Sequence, residues 1–331
     1  MSKTVKILLI TAAVMICCGA VIAGIGFLQG GMNSVIFGHE GLYVIDSREL
    51  GNMDEVDSAY PGVKNITIDA DMVPVVRVVR GDELRVKAQN PKAFGGVSAK
   101  TEGDELIITS EKRRLSNWFG VGPFGFNIGN VFQNKGYIEV TVPEGVTLDR
   151  VKITANFPKV AVSDVNAADL DVNCDMGGIT IEGVHADRLH ANADMGSVKV
   201  RSSKAGALII TADMGALEVR DVSADSAKVK VDAGGASLVG FESGGLDLSC
   251  NMGGVKLVGV LKGTSEIDCD MGGVELNLKQ PRDSLSWDIE TEVGAATVNG
   301  TKVHGAYTAP NPVGTLEISA DMGGVAVNFT D

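Results

Sequence analysis

Apolar and polar residues alternate with a period of two in short stretches along the second half of the chain, and these stretches recur every 19 residues. Each repeat is centred on a marker position that is usually Met, and in all but the Phe157 repeat and the Met72 copy one or two glycines follow it. The marker falls at Phe157, Met176, Met195, Met214, Ala233, Met252 and Met271, then at Val293 and Met322, and an earlier copy surrounds Met72. Alternation on both sides of a glycine corner predicts two short strands per repeat, each with one face inward.

The repeats are too small to bury an apolar face alone, whereas stacked copies form continuous apolar columns. Within one repeat these inward positions are Leu170, Val172, Cys174, Ile179 and Ile181. We therefore predict an all-β fold, a parallel β-solenoid (β-helix) with 19-residue rungs, nine of them from residue 157 to residue 322. The usual hand of parallel crossovers favours a right-handed coil, although left-handed solenoids with short rungs exist.

The marker Met is predicted to lie in the core, because its position continues the inward alternation and Met fills irregular gaps. On this interpretation Met214→Asp buries a charge between rungs and is severely destabilising. Binding of a soft metal is the alternative explanation of a Met column.

The N-terminus carries an uncharged apolar stretch of 22 residues, from Ile7 to Leu28, preceded by Lys3 and Lys6. A helix of this length spans about 33 Å, enough to cross a hydrocarbon core. We therefore predict that residues 1–30 form an N-terminal transmembrane helix of a single-pass cell-membrane protein. Because basic residues stay on the cytoplasmic side of a membrane helix, the C-terminal part is predicted to be extracytoplasmic. A signal segment cleaved after Val21-Ile22-Ala23, giving a secreted protein, is the alternative.

The remaining organisation follows from where the repeat begins. Residues 31–64 show no period and are predicted to be a spacer, residues 65–150 a small β cap region, and residues 151–331 the solenoid. Strand-like runs in the cap region are Asn65 to Ala70, Glu83 to Ala88, Glu105 to Ser110 and Tyr137 to Val142.

An aromatic loop, residues 111–136, separates the last two of these runs and is the first candidate for contact with a partner or a membrane. Its candidate residues are Arg113, Arg114, Trp118, Phe119, Phe124 and Phe126. Exposed rings beside cations would enter a lipid interface or hold a partner protein. Alternatively, the rings fold over the open end of the first rung and block edge pairing.

An acidic column precedes the marker position in nearly every repeat. Carboxylates about 4.8 Å apart repel by roughly 3.5 kcal/mol at an effective dielectric near 20, so the column needs a compensating donor or cation. The favoured explanation is a turn in which each Asp accepts the N–H of a corner glycine. The alternative is calcium, with candidates Asp175, Asp194, Asp213, Asp232 and Asp270.

No catalytic, cofactor or metal-binding constellation emerges from the sequence. Cys174, Cys250 and Cys269 share one inward column and are predicted to be small buried thiols, although Cys250 and Cys269 are close enough to bridge. The insert 299–314 breaks the repeat and carries His304 and Tyr307 without a neighbouring base or nucleophile. We therefore expect a protein that is not an enzyme.

Composition agrees with many tight turns in an ordered chain: 42 of 331 residues are Gly, while 44% are apolar. The 29 basic and 42 acidic residues give a net charge of −13, which argues against nucleic acid as a partner.

The Asp-Met-Gly-Gly repeats, the run from Tyr137 to Val146 that leads into them, and the N-terminal apolar segment together resemble the bacterial "putative adhesin" family of β-strand-repeat proteins. The resemblance covers about residues 60–331. It implies a solenoid outside the cytoplasmic membrane, connected with adhesion or envelope stress, and supplies no catalytic motif.

We accordingly predict a membrane-anchored extracytoplasmic binding or scaffold protein, with an envelope protein or a surface glycan as partner. A carbohydrate-active β-helix enzyme and a purely structural spacer are the alternatives.

Overall fold

The structure is a computed structural model, and it describes residues 34–38, 41–45, 51–110 and 136–330. Two strands, β1 (Ser34–Gly38) and β2 (Gly41–Ile45), pair antiparallel within one unit, and all other described strands belong to a second unit. The transmembrane helix predicted in residues 1–30 lies outside the described residues. Within the described ranges, no helix has the length and apolar character needed to cross a membrane.

The second unit is built almost entirely of strands, with two short 3-10 turns. The N-terminal strands are β3 (Met53–Ala59), β4 (Asn65–Ala70), β5 (Val75–Gly81), β6 (Arg85–Pro91), β7 (Ser98–Glu102), β8 (Glu105–Thr109) and β9 (Tyr137–Pro143). The central strands are β10 (Thr147–Ala155), β11 (Lys159–Ser163), β12 (Asn166–Met176), β13 (Ile179–Glu182), β14 (His185–Met195), β15 (Val198–Arg201), β16 (Lys204–Met214), β17 (Leu217–Ala233) and β18 (Ala236–Ser243). The C-terminal strands are β19 (Leu246–Met252), β20 (Val255–Leu261), β21 (Gly263–Met271), β22 (Val274–Leu278), β23 (Leu285–Val293), β24 (Ala296–Val298), β25 (Thr301–Val303), β26 (Gly305–Tyr307), β27 (Gly314–Met322) and β28 (Val325–Phe329). The 3-10 turns are Lys92–Phe94 and Arg282–Ser284.

Each rung contributes one strand to each of two parallel sheets, which confirms the all-β, solenoid-like prediction. The first sheet runs in the order β8, β4, β10, β12, β14, β16, the second half of β17, β19, β21, β27, β23. The second sheet runs in the order β9, β5, β11, β13, β15, the first half of β17, β18, β20, β22, β28, β24. The described residues thus form eleven rungs, the nine expected and two more.

The two additional rungs come from the range predicted as a cap region. Strands β4 and β5 already form a rung parallel to β10 and β11, so the solenoid begins earlier than the repeat suggests. Two of its strands, β5 and β7, fall outside the predicted runs. Antiparallel strands cover this end instead: β6 pairs with β9, β7 with β8, and β3, from the range predicted as a spacer, with β6.

The rungs at both ends stack out of chain order. The β4–β5 rung lies between the β8–β9 and β10–β11 rungs, and the β27–β28 rung lies between the β21–β22 and β23–β24 rungs. Strands β25 and β26 then pair antiparallel with β24 and β23 and cover that end. The edge strands of both terminal rungs are therefore paired with antiparallel strands, which leaves fewer unpaired backbone groups at the ends of the stack.

The core follows the predicted apolar columns. The inward residues of every rung are buried, as in Leu170, Val172, Cys174, Ile179 and Ile181. In-register pairs such as Val172 with Ala191 place each inward residue next to the equivalent residue of the neighbouring rung, which makes each apolar column continuous. The rung therefore gains its stability from neighbours on either side, since two short strands have no core of their own.

The prediction that the marker Met packs inward is wrong. Met195, Met214, Met252, Met271 and Met322 are all exposed, with Met214 at 55%. The alternation fails because strands such as β16 end at the Met, so the corner and not the sheet sets the direction of its side chain. The expected severe effect of Met214→Asp loses its basis with this correction.

Candidate functional site

The corner between the two strands of each rung presents a paired column of acidic and apolar side chains to solvent. Asp194 and Met195 are exposed in one rung, as are Asp270 and Met271 in another, and Asp321 and Met322 in a third. Because Met271 is in register with both Met252 and Met322, the column is continuous across neighbouring rungs.

The corner backbone is fixed by bonds between rungs. The first corner glycine donates its N–H to the carbonyl oxygen of the marker residue in the next rung, as Gly215 donates to Ala233 and Gly253 to Met271. The predicted turn therefore does not form at these first corner glycines, because the neighbouring rung already presents a carbonyl oxygen in register to accept their N–H groups.

The Asp side chains find other partners or remain in solvent. Asp194 accepts from Asn192 at 3.3 Å, and Asp232 accepts from Lys230 and Asn251. Over the described residues, no three His, Cys, Asp or Glu side chains converge as a metal site would require. The calcium candidates Asp175, Asp194, Asp213, Asp232 and Asp270 thus lie one per rung along the corner and do not belong to such a cluster.

A groove of about 1060 Å³ runs across the outer face of the second sheet. It crosses six neighbouring strands, β17, β18, β20, β22, β28 and β24. At a spacing of about 4.8 Å between strands, it extends over roughly 24 Å along the stack. Its length lies along the stacking direction, so a ligand in it would contact every rung that it crosses.

The walls of the groove carry polar groups of both charges. Glu218, Arg220, Lys256 and Glu275 line it, together with Ser237, Thr297 and Asn328. Glu218 accepts from Arg220 at 3.2 Å and from Arg201 at 2.9 Å, which helps hold the pKa of that carboxyl below its ordinary value against the opposing effect of desolvation. The hydrogen bond from Asn277 and the charge of Lys256 likewise lower the pKa of Glu275.

The floor of the groove is formed where side chains are small. The second corner position is Ala216, Gly235, Gly254, Gly273 and Gly324 in successive rungs of the stack. This surface is not among those predicted from the sequence. The small residues at the second corner position and the charges at Glu218, Lys256 and Glu275 are the sequence features that could have indicated it.

The three described cysteines are free and buried. Cys250 and Cys269 are in-register neighbours on β19 and β21. Burial raises the pKa of the Cys174 and Cys269 thiols to about 11, and raises that of Cys250. These thiols are core residues that do not line the groove and that lie beneath the corner, where Cys269 and Cys250 donate to the carbonyl oxygens of the corner residues Gly253 and Gly234.

The insert 299–314 forms the cover of the C-terminal end. Tyr307 stacks on the buried Trp287 with ring centroids 5.3 Å apart, and Arg282 lies 4.9 Å from the Tyr307 ring. The Tyr307 hydroxyl donates to Asp283, which raises its pKa. The insert that interrupts the repeat therefore helps to stabilise the C-terminal end of the solenoid.

The predicted contact residues of the aromatic loop, Arg113, Arg114, Trp118, Phe119, Phe124 and Phe126, lie outside the described residues. Their part of the chain connects β8 to β9 within one rung.

A stack of in-register rungs with a polar groove and a solvent-facing corner column defines this protein as a β-solenoid of parallel sheets. The chain belongs to the Toastrack DUF4097 family, whose model matches residues 63–327. This confirms the family resemblance drawn from the sequence.

Several solved structures are similar over most of the chain. A "putative adhesin" from Bacteroides fragilis is 12% identical with a TM-score of 0.42, over 84% of this chain and 97% of that chain. A "putative lipid binding protein" from Parabacteroides distasonis is 13% identical with a TM-score of 0.47, over 85% and 98%. A "putative cell adhesion protein" from Clostridium sporogenes is 11% identical with a TM-score of 0.29, over 84% and 99%. No curated protein matches the chain.

Proposed function

We propose that this protein is a binding scaffold of the bacterial cell envelope that holds an extended surface glycan in the groove of its second sheet and performs no catalysis. The observation that carries the proposal is the groove itself, which crosses six strands and is lined by paired charges and small residues. A polar ligand with many hydroxyl groups finds donors and acceptors along its whole length there.

The charges of the groove favour a glycan over other polymers. Arg220 and Lys256 are balanced by Glu218 and Glu275, so the groove has no excess of positive charge with which to hold a phosphate backbone. The net charge of −13 acts in the same direction. An uncharged or mixed-charge polysaccharide meets neither objection.

Substitutions that fill the groove without disturbing the fold test this proposal. A Cβ added at Gly254 or Gly273 meets no atom closer than 3.6 Å, so Gly254→Tyr and Gly273→Tyr place rings in the groove at low structural cost. The matched control is Ser197→Tyr, at the same corner position of a rung outside the groove.

Binding is measured by biolayer interferometry against a panel of bacterial capsular and cell-wall polysaccharides. We expect the full chain to bind at least one, Ser197→Tyr to retain binding, and each groove variant to lose about tenfold or more in affinity, or roughly 1.4 kcal/mol. Binding to none of the panel, as a purely structural spacer would show, contradicts the proposal, as does equal binding by the groove variants. Hydrolysis of a bound polysaccharide would favour the enzyme alternative.

The placement in the envelope rests on the N-terminal apolar segment. We propose that residues 1–30 anchor the protein in the membrane with the solenoid outside, where it serves adhesion or the sensing of envelope stress. Lys3 and Lys6 before the 22 apolar residues support this orientation. Fractionation of cells expressing the full chain or residues 31–331 tests it: only the full chain should sediment with membranes and be degraded by external protease.

A further inference from the structure

The marker methionines form an in-register column of thioethers, here called the methionine ladder: Met176, Met195 and Met214, then, after Ala233, Met252, Met271 and Met322. Met176 is half-buried and the other five are exposed. Nine large apolar side chains are exposed among the described residues, and seven of them lie at the marker position. The exposure of large apolar groups is thus concentrated on one edge of the solenoid.

Met is the commonest residue at this edge, where it occupies six of the nine marker positions from residue 157 to residue 322. Met is ordinarily a buried residue, yet none of the described methionines is buried, while the inward columns consist mainly of Leu, Ile, Val and Ala. A surface used only for apolar contact needs no sulfur, and Leu, Ile or Val, which fill the core of this chain, would serve equally well. The property that distinguishes Met from Leu is its soft thioether, which acts as a ligand for metals such as Cu(I).

The spacing of the ladder suits an ion shared between rungs. Consecutive methionines are direct register partners, so their Cα atoms are separated by the strand spacing of about 4.8 Å. A zinc–thiolate bond is about 2.3 Å long, and two metal–sulfur bonds of similar length span such a distance. The corner hydrogen bonds from Gly253 to Met271 and from Gly272 to Met322 fix the backbone, while the flexible side chains adjust the sulfur positions.

The neighbouring column adds favourable electrostatics. Asp213, Asp270 and Asp321 directly precede ladder methionines, and each is free of ion pairs with other described residues. Their charges raise the local concentration of cations at the edge. The absence of any group of three His, Cys, Asp or Glu excludes a harder metal site of ordinary composition in the described part of the chain.

We infer that the methionine ladder binds soft monovalent metal ions of the Cu(I) class, each held by thioethers of two or three successive rungs. The two segments, one on each side of Ala233, provide separate sites. This inference is independent of the groove, because no ladder methionine lines it.

The experiment must separate thioethers from thiols, since Cys174, Cys250 and Cys269 also attract soft metals. The full chain also contains Cys17 and Cys18, so the background is the full chain with all five cysteines replaced by Ala. Ala already holds the column of the three solenoid cysteines at Ala193, Ala212 and Ala320. In this background, variants carry Leu at Met252, Met271 and Met322, or at all six ladder positions. The matched control is Met53→Leu, outside the ladder.

The probes are Ag(I), followed by isothermal titration calorimetry, and Cu(I), followed anaerobically by competition with bicinchoninate. We expect the background protein and Met53→Leu to bind both ions, the three-Leu variant to lose about half of the bound ions, and the six-Leu variant to lose them all with an unchanged melting temperature. Excess Zn²⁺ or Ca²⁺ should not displace the bound ions. Absence of binding in the background protein, or undiminished binding by the six-Leu variant, overturns the inference.

Discussion

At the scale of single residues, one corner separates two environments within three positions of the chain. Met214 is exposed, whereas Leu217, the first residue of the following strand, is 1% exposed. Both are large and apolar, so their difference comes from the backbone path alone. The strand directs Leu217 into a core between two rungs, and the corner directs Met214 into solvent.

This contrast predicts unequal effects of the same polar substitution. Met214→Gln should change the free energy of unfolding by no more than about 0.5 kcal/mol, as is usual for surface positions. Leu217→Gln should cost about 3 kcal/mol or more, because it removes a buried side chain and leaves an amide without water. Urea unfolding followed by circular dichroism measures both, and comparable losses would contradict the described corner.

The buried thiols predict a loss of stability at high pH. Because the pKa of Cys174 and Cys269 is raised to about 11 in the fold, and a thiol in the unfolded chain titrates near 8.5, the unfolded state releases protons first as the pH rises. The contribution is therefore complete below about pH 8.5 and is lost as the pH approaches 11.

The measurement compares urea unfolding at pH 8 and pH 10. Replacement of Cys174, Cys250 and Cys269 by Ala should remove a part of the decline, on the order of 2 kcal/mol for each of Cys174 and Cys269. Other groups also titrate in this range and affect both proteins equally. An identical decline in the parent and the three-Ala variant would show that the thiols are not buried as described.

At the scale of the strand and corner, the two corner glycines have different constraints. A Cβ at Gly253 would overlap the carbonyl oxygen of Gly234 in the preceding rung, and the residue has a φ of +145°. A Cβ at Gly254 meets only the oxygen of Gly273 at 3.6 Å, an ordinary contact. The sequence agrees, since the second position also accepts Ser197 and Ala216.

The corresponding prediction uses adjacent residues of one corner. Gly253→Ala should destabilise the protein by about 2–3 kcal/mol through overlap and an unfavourable φ. Gly254→Ala should stay within about 0.5 kcal/mol of the parent. Thermal unfolding of the two variants provides the comparison, and equal melting temperatures would be inconsistent with this corner geometry.

Strand prediction succeeded where alternation was long enough to define a face. The inward columns of β12 to β22 followed from period two, because each buried position repeats in every rung. Strands β5 and β7 lie outside the 19-residue array, and the Val-rich run of β5 gives little alternation. The Met position failed for a different reason: periodicity gives parity within a strand and cannot show where the strand gives way to the corner.

At the scale of the whole molecule, the stack order differs from the chain order at both ends. The β27–β28 rung, last in the sequence, separates the β23–β24 rung from the rest of the solenoid. The 17 residues from Gly314 to Thr330 therefore connect two parts of the stack that are both earlier in the chain. Cooperativity at this end depends on the C-terminus.

Truncation tests this arrangement. A chain ending at Pro312 lacks the intervening rung but keeps β25, β26 and the Tyr307 ring that stacks on Trp287. Strand β23 then loses only its parallel neighbour β27, and Trp287, 5% exposed in the fold, should become exposed. In a Trp118→Phe background, the fluorescence of Trp287 should shift to longer wavelength relative to the full-length control. If the emission maximum stays unchanged, β23 has docked directly on β21 and the described order is not required.

The sequence by itself determined the strand pair, the 19-residue rung, the apolar columns and the acidic, glycine-rich composition, because each repeats and each reports a local periodicity. The tertiary structure alone decided the order of the terminal rungs, the groove across six strands and the exposure of the methionines. These features depend on which rungs become neighbours and on how the backbone leaves each sheet. A pattern along the chain carries neither kind of information, because stacking between rungs is set by contacts among residues far apart in sequence.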